Sequence, residues 1–119
     1  MTTEIRFRNG KVGVEIADNI ISRSLGFSFR KEIKGNEGML FRFSRATRAL
    51  FWNFGMLFPI DVLWIRDGEI VDIEENIPKM MKGLKVFAPE EPVHMAIELS
   101  SGSVKRLGIL IHDRIIGVA

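Results

Sequence analysis

Alternating hydrophobic and polar residues near the start of the chain predict a β-hairpin. Residues 5–7 and 12–16 carry apolar side chains at every second position, and Asn9-Gly10 lies between the two segments. Asn-Gly tolerates the positive φ angles of a type I′ turn. The pattern therefore predicts two antiparallel strands joined at Asn9-Gly10.

Two later segments have the features of short helices. Residues 17–26 carry apolar side chains at helical spacing, with Asp18 suited to cap the start and a glycine suited to the position just past the end. Residues 100–108 predict one or two helical turns, with Ser101 or Ser103 as the cap.

The clearest hairpin signal lies in the middle of the sequence. Residues 61–66 and 69–77 are rich in β-branched and aromatic side chains and are joined by Asp67-Gly68. A type I′ turn at Asp67-Gly68 fixes the register of the two strands. Counted from the turn, the predicted pairs are Arg66 with Glu69, Ile65 with Ile70, Leu63 with Asp72, and Asp61 with Glu74.

The segment between Pro78 and Pro92 has turn residues, three lysines and no clear period. We predict a long mobile loop there, with at most a short strand and with Met80 and Met81 at least partly exposed. The other strand candidates are residues 39–43, 49–54 and 93–99, and two short segments within residues 109–118.

Many short strands with turn signals at close spacing are typical of a small barrel or a rolled sheet. We predict an α+β, mostly β fold: a small barrel-like rolled sheet of about eight short strands with two short helices. A doubly wound parallel sheet is not expected, because repeated helices between strands are missing. At 119 residues, the chain is expected to form a single domain over residues 1–119.

Composition excludes several kinds of chemistry. The chain has no cysteine, so disulfides and thiolate nucleophiles are excluded. Its net charge is +2, from 17 Lys and Arg against 15 Asp and Glu, and no basic block occurs, which argues against nucleic acid. The start of the chain has no apolar signal-peptide region, and no apolar run is long enough to span a membrane. We therefore expect a soluble cytoplasmic protein.

A single carboxylate stands in the apolar run FWNFGMLFPIDVLW, which covers residues 51–64. Pro59 lacks an N–H and marks a corner between two strands, and Asp61 opens the strand that follows. One interpretation is structural: Asp61 accepts backbone N–H bonds at the corner or pairs with an arginine, Arg23 being the favoured partner. The other is that Asp61 lines a pocket.

The predicted hairpin register places Asp61, Asp72 and Glu74 on one face. Opposed like charges destabilise a β-ladder, so a cation is expected near Asp61 and Glu74. Arg23, Arg48, Arg114 or a lysine of the long loop could supply it; a divalent metal is the less favoured answer, and no metal or cofactor is predicted. The opposite face, formed by Val62, Trp64, Val71 and Ile73, is predicted to be core.

Five segments, taken together, resemble the uncharacterised family of domain of unknown function 192. They are RSLG with Arg23 and Gly26, GMLFRF from Gly38, FWNFGMLFPIDVLWI from Phe51, IELSSG from Ile97, and LGILIHD near the end. The resemblance implies a compact, mostly β, barrel-like domain, found in bacteria and archaea, with no established catalytic activity.

The sequence departs from the family pattern at three places. Gly26-Phe27-Ser28 stands where the family usually has GLM, and Phe54-Gly55-Met56 stands where it has a polar Lys-Asn-Thr stretch. His112-Asp113 stands where it has Gly-Asp. A site formed by the polar stretch in relatives would be altered in this chain.

These features predict a small ligand- or partner-binding module for a small molecule or a protein. Its site is expected at the barrel end, where Arg23, Trp52, Asp61 and Glu98 could converge.

Two alternatives stay open. The first is a hydrolase or transferase with Asp61 or Glu98 as general base and His94 or Arg23 assisting, although no serine has a recognisable nucleophile setting. The second is a structural or assembly-interaction domain, which an exposed Met80-Met81 patch would suit.

Overall fold

The computed structural model describes residues 2–17 and 35–117. Nearly all of the helix predicted at residues 17–26, including Arg23, lies outside the described residues. The prediction of two helices is therefore not confirmed. The described part holds one short helix, α1 (Ser103–Arg106), and a single 3₁₀ turn (Met80–Lys82).

The fold is mostly β, as predicted. Six strands form one mixed sheet in the order β1-β2-β3-β8-β5-β6, and two short strands, β4 and β7, form a second sheet. Neighbouring strands are antiparallel except for β2 and β3, which are parallel. The bounds are β1 (Thr2–Phe7), β2 (Gly10–Ala17), β3 (Glu37–Thr47), β4 (Phe51–Trp52), β5 (Ile60–Arg66), β6 (Glu69–Ile77), β7 (Val86–Phe87) and β8 (Val93–Ser100).

The first hairpin is present, but its turn is one residue earlier than predicted. Phe7 pairs with Gly10, so Arg8 and Asn9 form the turn and Gly10 begins β2. The glycine serves close packing: a Cβ at Gly10 would lie 2.6 Å from Cδ2 of Leu107. The predicted role of Gly10, a positive φ in the turn, is therefore wrong; its lack of a side chain instead allows close packing against Leu107.

The six-stranded sheet is not closed into a barrel, so the predicted barrel-like shape is not confirmed. Its edges are β1 and β6, and residues 112–116 hydrogen-bond to both of them. Arg6 and Ile116 exchange two backbone bonds of 2.9 and 3.1 Å, while Ile70 N–H donates to the Asp113 carbonyl at 2.9 Å. The strands predicted within residues 109–118 are thus isolated bridges to two different sheet edges.

Both faces of the sheet are covered by apolar side chains. One face packs against α1 and the segment after it, around Leu40, Leu63, Ile97 and Leu107. The other packs against the small sheet of β4 and β7, around Phe41, Trp64, Phe87 and Ala96. Central strands with two buried faces read as nearly continuous apolar runs, which is how β5 appears in the sequence.

The hairpin of β5 and β6 has the predicted turn but not the predicted register. Asp67 and Gly68 have φ values of 52° and 77°, as a type I′ turn requires. The pairs Arg66–Glu69 and Ile65–Ile70 are also confirmed. Beyond them Val71 is an extra residue on β6, a β-bulge, and the pairs become Trp64–Asp72, Leu63–Ile73 and Val62–Glu74.

The bulge overturns the predicted grouping of acids. Because paired residues share a face, Asp72 and Glu74 lie on the face of Trp64 and Val62, whereas Asp61 lies on the opposite one. The same shift turns Ile73 towards the face that packs against α1. A loop lysine does neutralise one acid: Nζ of Lys85 lies 2.7 Å from Oε2 of Glu74.

Candidate functional site

Asp61 is fully buried, and its carboxylate accepts three backbone N–H groups. Oδ1 accepts from Asn76 at 2.9 Å, and Oδ2 accepts from Gly102 at 3.1 Å and Val104 at 3.0 Å. A carboxylate that accepts several amides is stabilised in its charged form without a cation. These contacts agree with the structural interpretation of the Pro59 corner.

The three amides come from two distortions of regular structure. Asn76, with φ 56°, and Glu75 together lie opposite the single residue Asp61, so the Asn76 amide leaves the β-ladder and turns to the carboxylate. The other two amides open α1, whose N-cap Gly102 provides no side-chain bond. Asp61 therefore takes the capping role that the sequence assigned to Ser101 or Ser103.

Glu98 is also buried, with 5% of its surface exposed, but it lies on the other face of the sheet. It pairs with Met39 on β3 and Val62 on β5, while Asp61 pairs with Leu99. Side chains of paired residues point to one face, so the carboxylates of Asp61 and Glu98 point away from each other.

Trp52 lies on the solvent side of the small sheet and is 56% exposed. Its ring stacks on Phe54 with a centroid distance of 5.0 Å. The structure therefore does not bring Trp52, Asp61 and Glu98 together around one point, and Arg23 lies outside the described residues. A ligand-binding role for these four residues stays a prediction.

Both histidines lie beside the turn of the β5–β6 hairpin. Nδ1 of His94 is 4.0 Å from Oδ1 of Asp67, and Nδ1 of His112 is 2.7 Å from Oε2 of Glu69. The turn begins about 17 Å along β5 from Asp61, at 3.3 Å per residue. His94 is thus not placed to exchange a proton with Asp61, so the structure does not support this one pairing of the enzyme hypothesis.

The sequence reasoning did not single out the outer side of the small sheet. Five apolar residues of β4, β7 and their flanks are 43 to 72% exposed. We call this set the outer apolar face: Leu50, Trp52, Phe54, Leu84 and Val86. An antiparallel sheet with one solvated face normally places polar residues there.

The inner side of the same strands holds the small sheet on the core. Phe51 lies 5.3 Å from the Trp64 ring and 5.8 Å from the Phe87 ring, measured between centroids. Trp52 pairs with Val86 and Phe51 with Phe87, so each of the two-residue strands has one inner and one outer side chain. The exposed apolar residues thus stand on a backbone fixed by buried aromatic rings.

Asn53 fixes the loop beside this face. It is fully buried, its Nδ2 donates to the carbonyls of Pro78 (2.8 Å) and Gly83 (2.9 Å), and its Oδ1 accepts the Lys85 amide at 2.7 Å. The loop carries Met81, whose side chain is 85% exposed at the 3₁₀ turn. The predicted exposure of the two methionines is confirmed, Met80 being half-buried.

Three lysines lie in the same segment of the sequence as Leu84 and Val86: Lys79, Lys82 and Lys85. Lys85 is paired with Glu74, but among the described residues no carboxylate lies within ion-pair distance of Lys79 or Lys82. Lys82 is exposed and directly follows Met81. The surface thus combines exposed apolar side chains with uncompensated positive charge.

These features define a mostly β protein with a mixed six-stranded sheet, a buried aspartate that accepts three backbone amides, and the outer apolar face. The sequence matches the model of domain of unknown function 192, described as "Uncharacterized ACR", over residues 3–117. The chain belongs to this family. No curated protein matches it.

Two solved structures are similar to this fold. One, a proposed transcription regulator from Sinorhizobium meliloti 1021, is 31% identical, with a TM-score of 0.89 over 98% of this chain and 94% of that one. The other is a protein of unknown function from Novosphingobium aromaticivorans DSM 12444, 23% identical, with a TM-score of 0.85 over 98% and 84% of the two chains. Neither the helix nor the 3₁₀ turn of the described residues has the length and hydropathy of a membrane span.

Proposed function

We propose that this protein is a partner-binding module and that the outer apolar face is its binding surface. The observation that carries the proposal is the exposure of five apolar side chains on one side of the small sheet, whose other side packs against the core. Contiguous exposed apolar patches on soluble proteins commonly mark interaction sites. A Trp at the centre of such a patch is the residue type most enriched among binding hot spots.

Preorganisation supports the same role. Phe51 and Phe87 pack against each other on the inner side of the small sheet, and three hydrogen bonds of Asn53 hold the adjacent loop in place. A surface already held in one conformation loses less entropy when a partner binds. Of the residues predicted for the barrel end, Trp52 belongs to this surface, while Asp61 positions the sheet corner and α1.

Selection from a random peptide library displayed on phage tests the proposal. Peptides enriched on the native chain should bind Trp52→Ser about tenfold more weakly, because an anchor of this kind contributes about 1.4 kcal/mol or more. Ile116→Ser is the matched control, since Ile116 is exposed apolar surface elsewhere on the molecule. Selected peptides that bind the native chain and Trp52→Ser equally would contradict the proposed surface.

A further inference from the structure

We infer that the partner is an extended acidic segment with apolar side chains at alternate positions, which adds a strand to the sheet of β4 and β7. This inference rests on the proposed function, because it assigns a chemistry to what binds the outer apolar face. Charge, free strand edges and side-chain spacing lead to it separately.

The charge around the face selects for an acidic partner. Lys79 and Lys82 have no carboxylate partner among the described residues, whereas Lys85 is already paired with Glu74. Complementary charge at the rim of an interface speeds encounter and rejects partners of the same sign. A second copy of this chain would bring the same lysines towards one another, so it fits less well.

The strand edges favour a peptide over a lipid surface. Within the described residues the small sheet has only two strands, so each is paired on one side only. An extended peptide can bond to such an edge by strand addition. Hydrocarbon offers no hydrogen-bond partners for open strand edges, which do not occur exposed to lipid tails.

The spacing of the apolar residues matches a strand. Leu50 and Trp52 are two residues apart in sequence, as are Leu84 and Val86, which gives about 6.6 Å between successive side chains along an extended chain. A partner strand places its own alternate side chains at the same repeat. The apolar side chains on one side of the partner strand would contact the outer apolar face. The carboxylates on its other side would contact the lysines.

The test uses fluorescence anisotropy with the full chain and three labelled synthetic peptides of about ten residues, long enough for one strand. The first alternates Glu with Leu and Val, the second replaces every Glu by Lys, and the third is the acidic peptide with one central Pro, which removes a backbone donor. We expect only the first to bind, and Trp52→Ser to weaken its binding about tenfold.

Charge reversal at one lysine provides a matched pair of variants. Lys82→Glu should lower the affinity for the acidic peptide about fivefold, because it reverses a charge at the rim of the proposed interface. Lys105→Glu on α1 should leave that affinity unchanged. Both lysines are exposed, so neither substitution should prevent folding. Equal effects of the two variants would overturn the assignment of the lysine rim.

Other outcomes separate this inference from the proposed function. If the acidic and basic peptides bind with equal affinity, and both lose affinity in Trp52→Ser, the inferred partner chemistry is wrong and the proposed binding surface stands. The same conclusion follows if Trp52-dependent binding is found only for library-selected peptides of other composition. Trp52-dependent binding to anionic phospholipid vesicles without peptide binding, or Trp52-dependent dimerisation, would overturn the peptide in favour of a lipid surface or a second copy. No binding by any Trp52-dependent probe would overturn both.

Discussion

Residues 51–64 contain two side chains in environments that are usually unfavourable for them: the charged Asp61 is buried, and the apolar Trp52 is exposed to water. Asp61 is a charge in the core, and three backbone amides of the same chain satisfy it. Trp52 and its neighbours on the outer apolar face are apolar side chains that are 43 to 72% exposed to water. The contrast teaches that the buried charge belongs to the hydrogen bonding that holds the structure together, whereas the exposed aromatic residues belong to the surface that we propose binds a partner.

The largest effect is expected from removing the charge of Asp61. Asp61→Asn should lower the free energy of unfolding by about 3 kcal/mol, because the amide nitrogen that replaces one oxygen donates and would face buried donors. Glu74→Gln is the control; its ion pair with Lys85 is partly solvated, and its loss should cost under about 0.5 kcal/mol. Urea denaturation near neutral pH compares the two. Equal small losses would mean that Asp61 is an ordinary solvated strand end.

A somewhat smaller loss is expected at Asn53. Asn53→Ala should cost about 2 kcal/mol, since it removes three hydrogen bonds, those with the carbonyls of Pro78 and Gly83 and with the Lys85 amide. It should also loosen the loop, so hydrogen exchange at the Lys85 amide should accelerate while that of strand β8 does not. Unchanged exchange at Lys85 would show that the loop is held by other contacts.

The hairpin turn offers a change that affects the scaffold and not the outer apolar face. Gly68→Ala should cost about 1 kcal/mol, because Gly68 has φ 77° and alanine disfavours that conformation. The added Cβ would also lie 3.2 Å from Nη2 of Arg114. Peptide binding should stay at the native level. A weakened affinity would indicate that the turn and the outer face are coupled.

The smallest effect on stability is expected where the effect on binding is largest. Trp52→Ser should change the free energy of unfolding by less than about 0.5 kcal/mol, as exposed positions usually do. Thermal denaturation monitored by circular dichroism checks this. A loss above about 1 kcal/mol would place Trp52 with Asp61 among the residues that hold the fold, and the contrast between the two regions would fail.

Local signals in the sequence predicted much of the sheet. The alternation in β2 and β8 and the Asp67-Gly68 turn gave strands within one or two residues of their observed ends, whereas β1 begins three residues earlier than predicted. The bulge at Val71 was not predictable, because Ile70, Val71 and Ile73 are all apolar and the pattern is the same in either register. Such a shift is decided by packing on both faces of the sheet rather than by local propensity.

The candidate site was predicted less well, for two physical reasons. The partners of Asp61 are backbone amides at residues 76, 102 and 104, and a backbone amide has no side-chain signature in a sequence. In residues 50–54 both alternating sets are mainly apolar, so the pattern shows that two faces exist but not which of them meets water. The structure shows that Trp52 is exposed, and its predicted role in ligand binding stays a prediction.

The bonds from residues 112–116 to both sheet edges have a consequence for the order of events during synthesis. These residues follow all six strands of the main sheet along the chain, so β1 and β6 are made well before the segment that pairs with them. A nascent chain that has not yet reached this segment carries two open strand edges, which are sites of pairing between chains. The interval before residues 112–116 emerge from the ribosome is therefore when this protein is most exposed to aggregation.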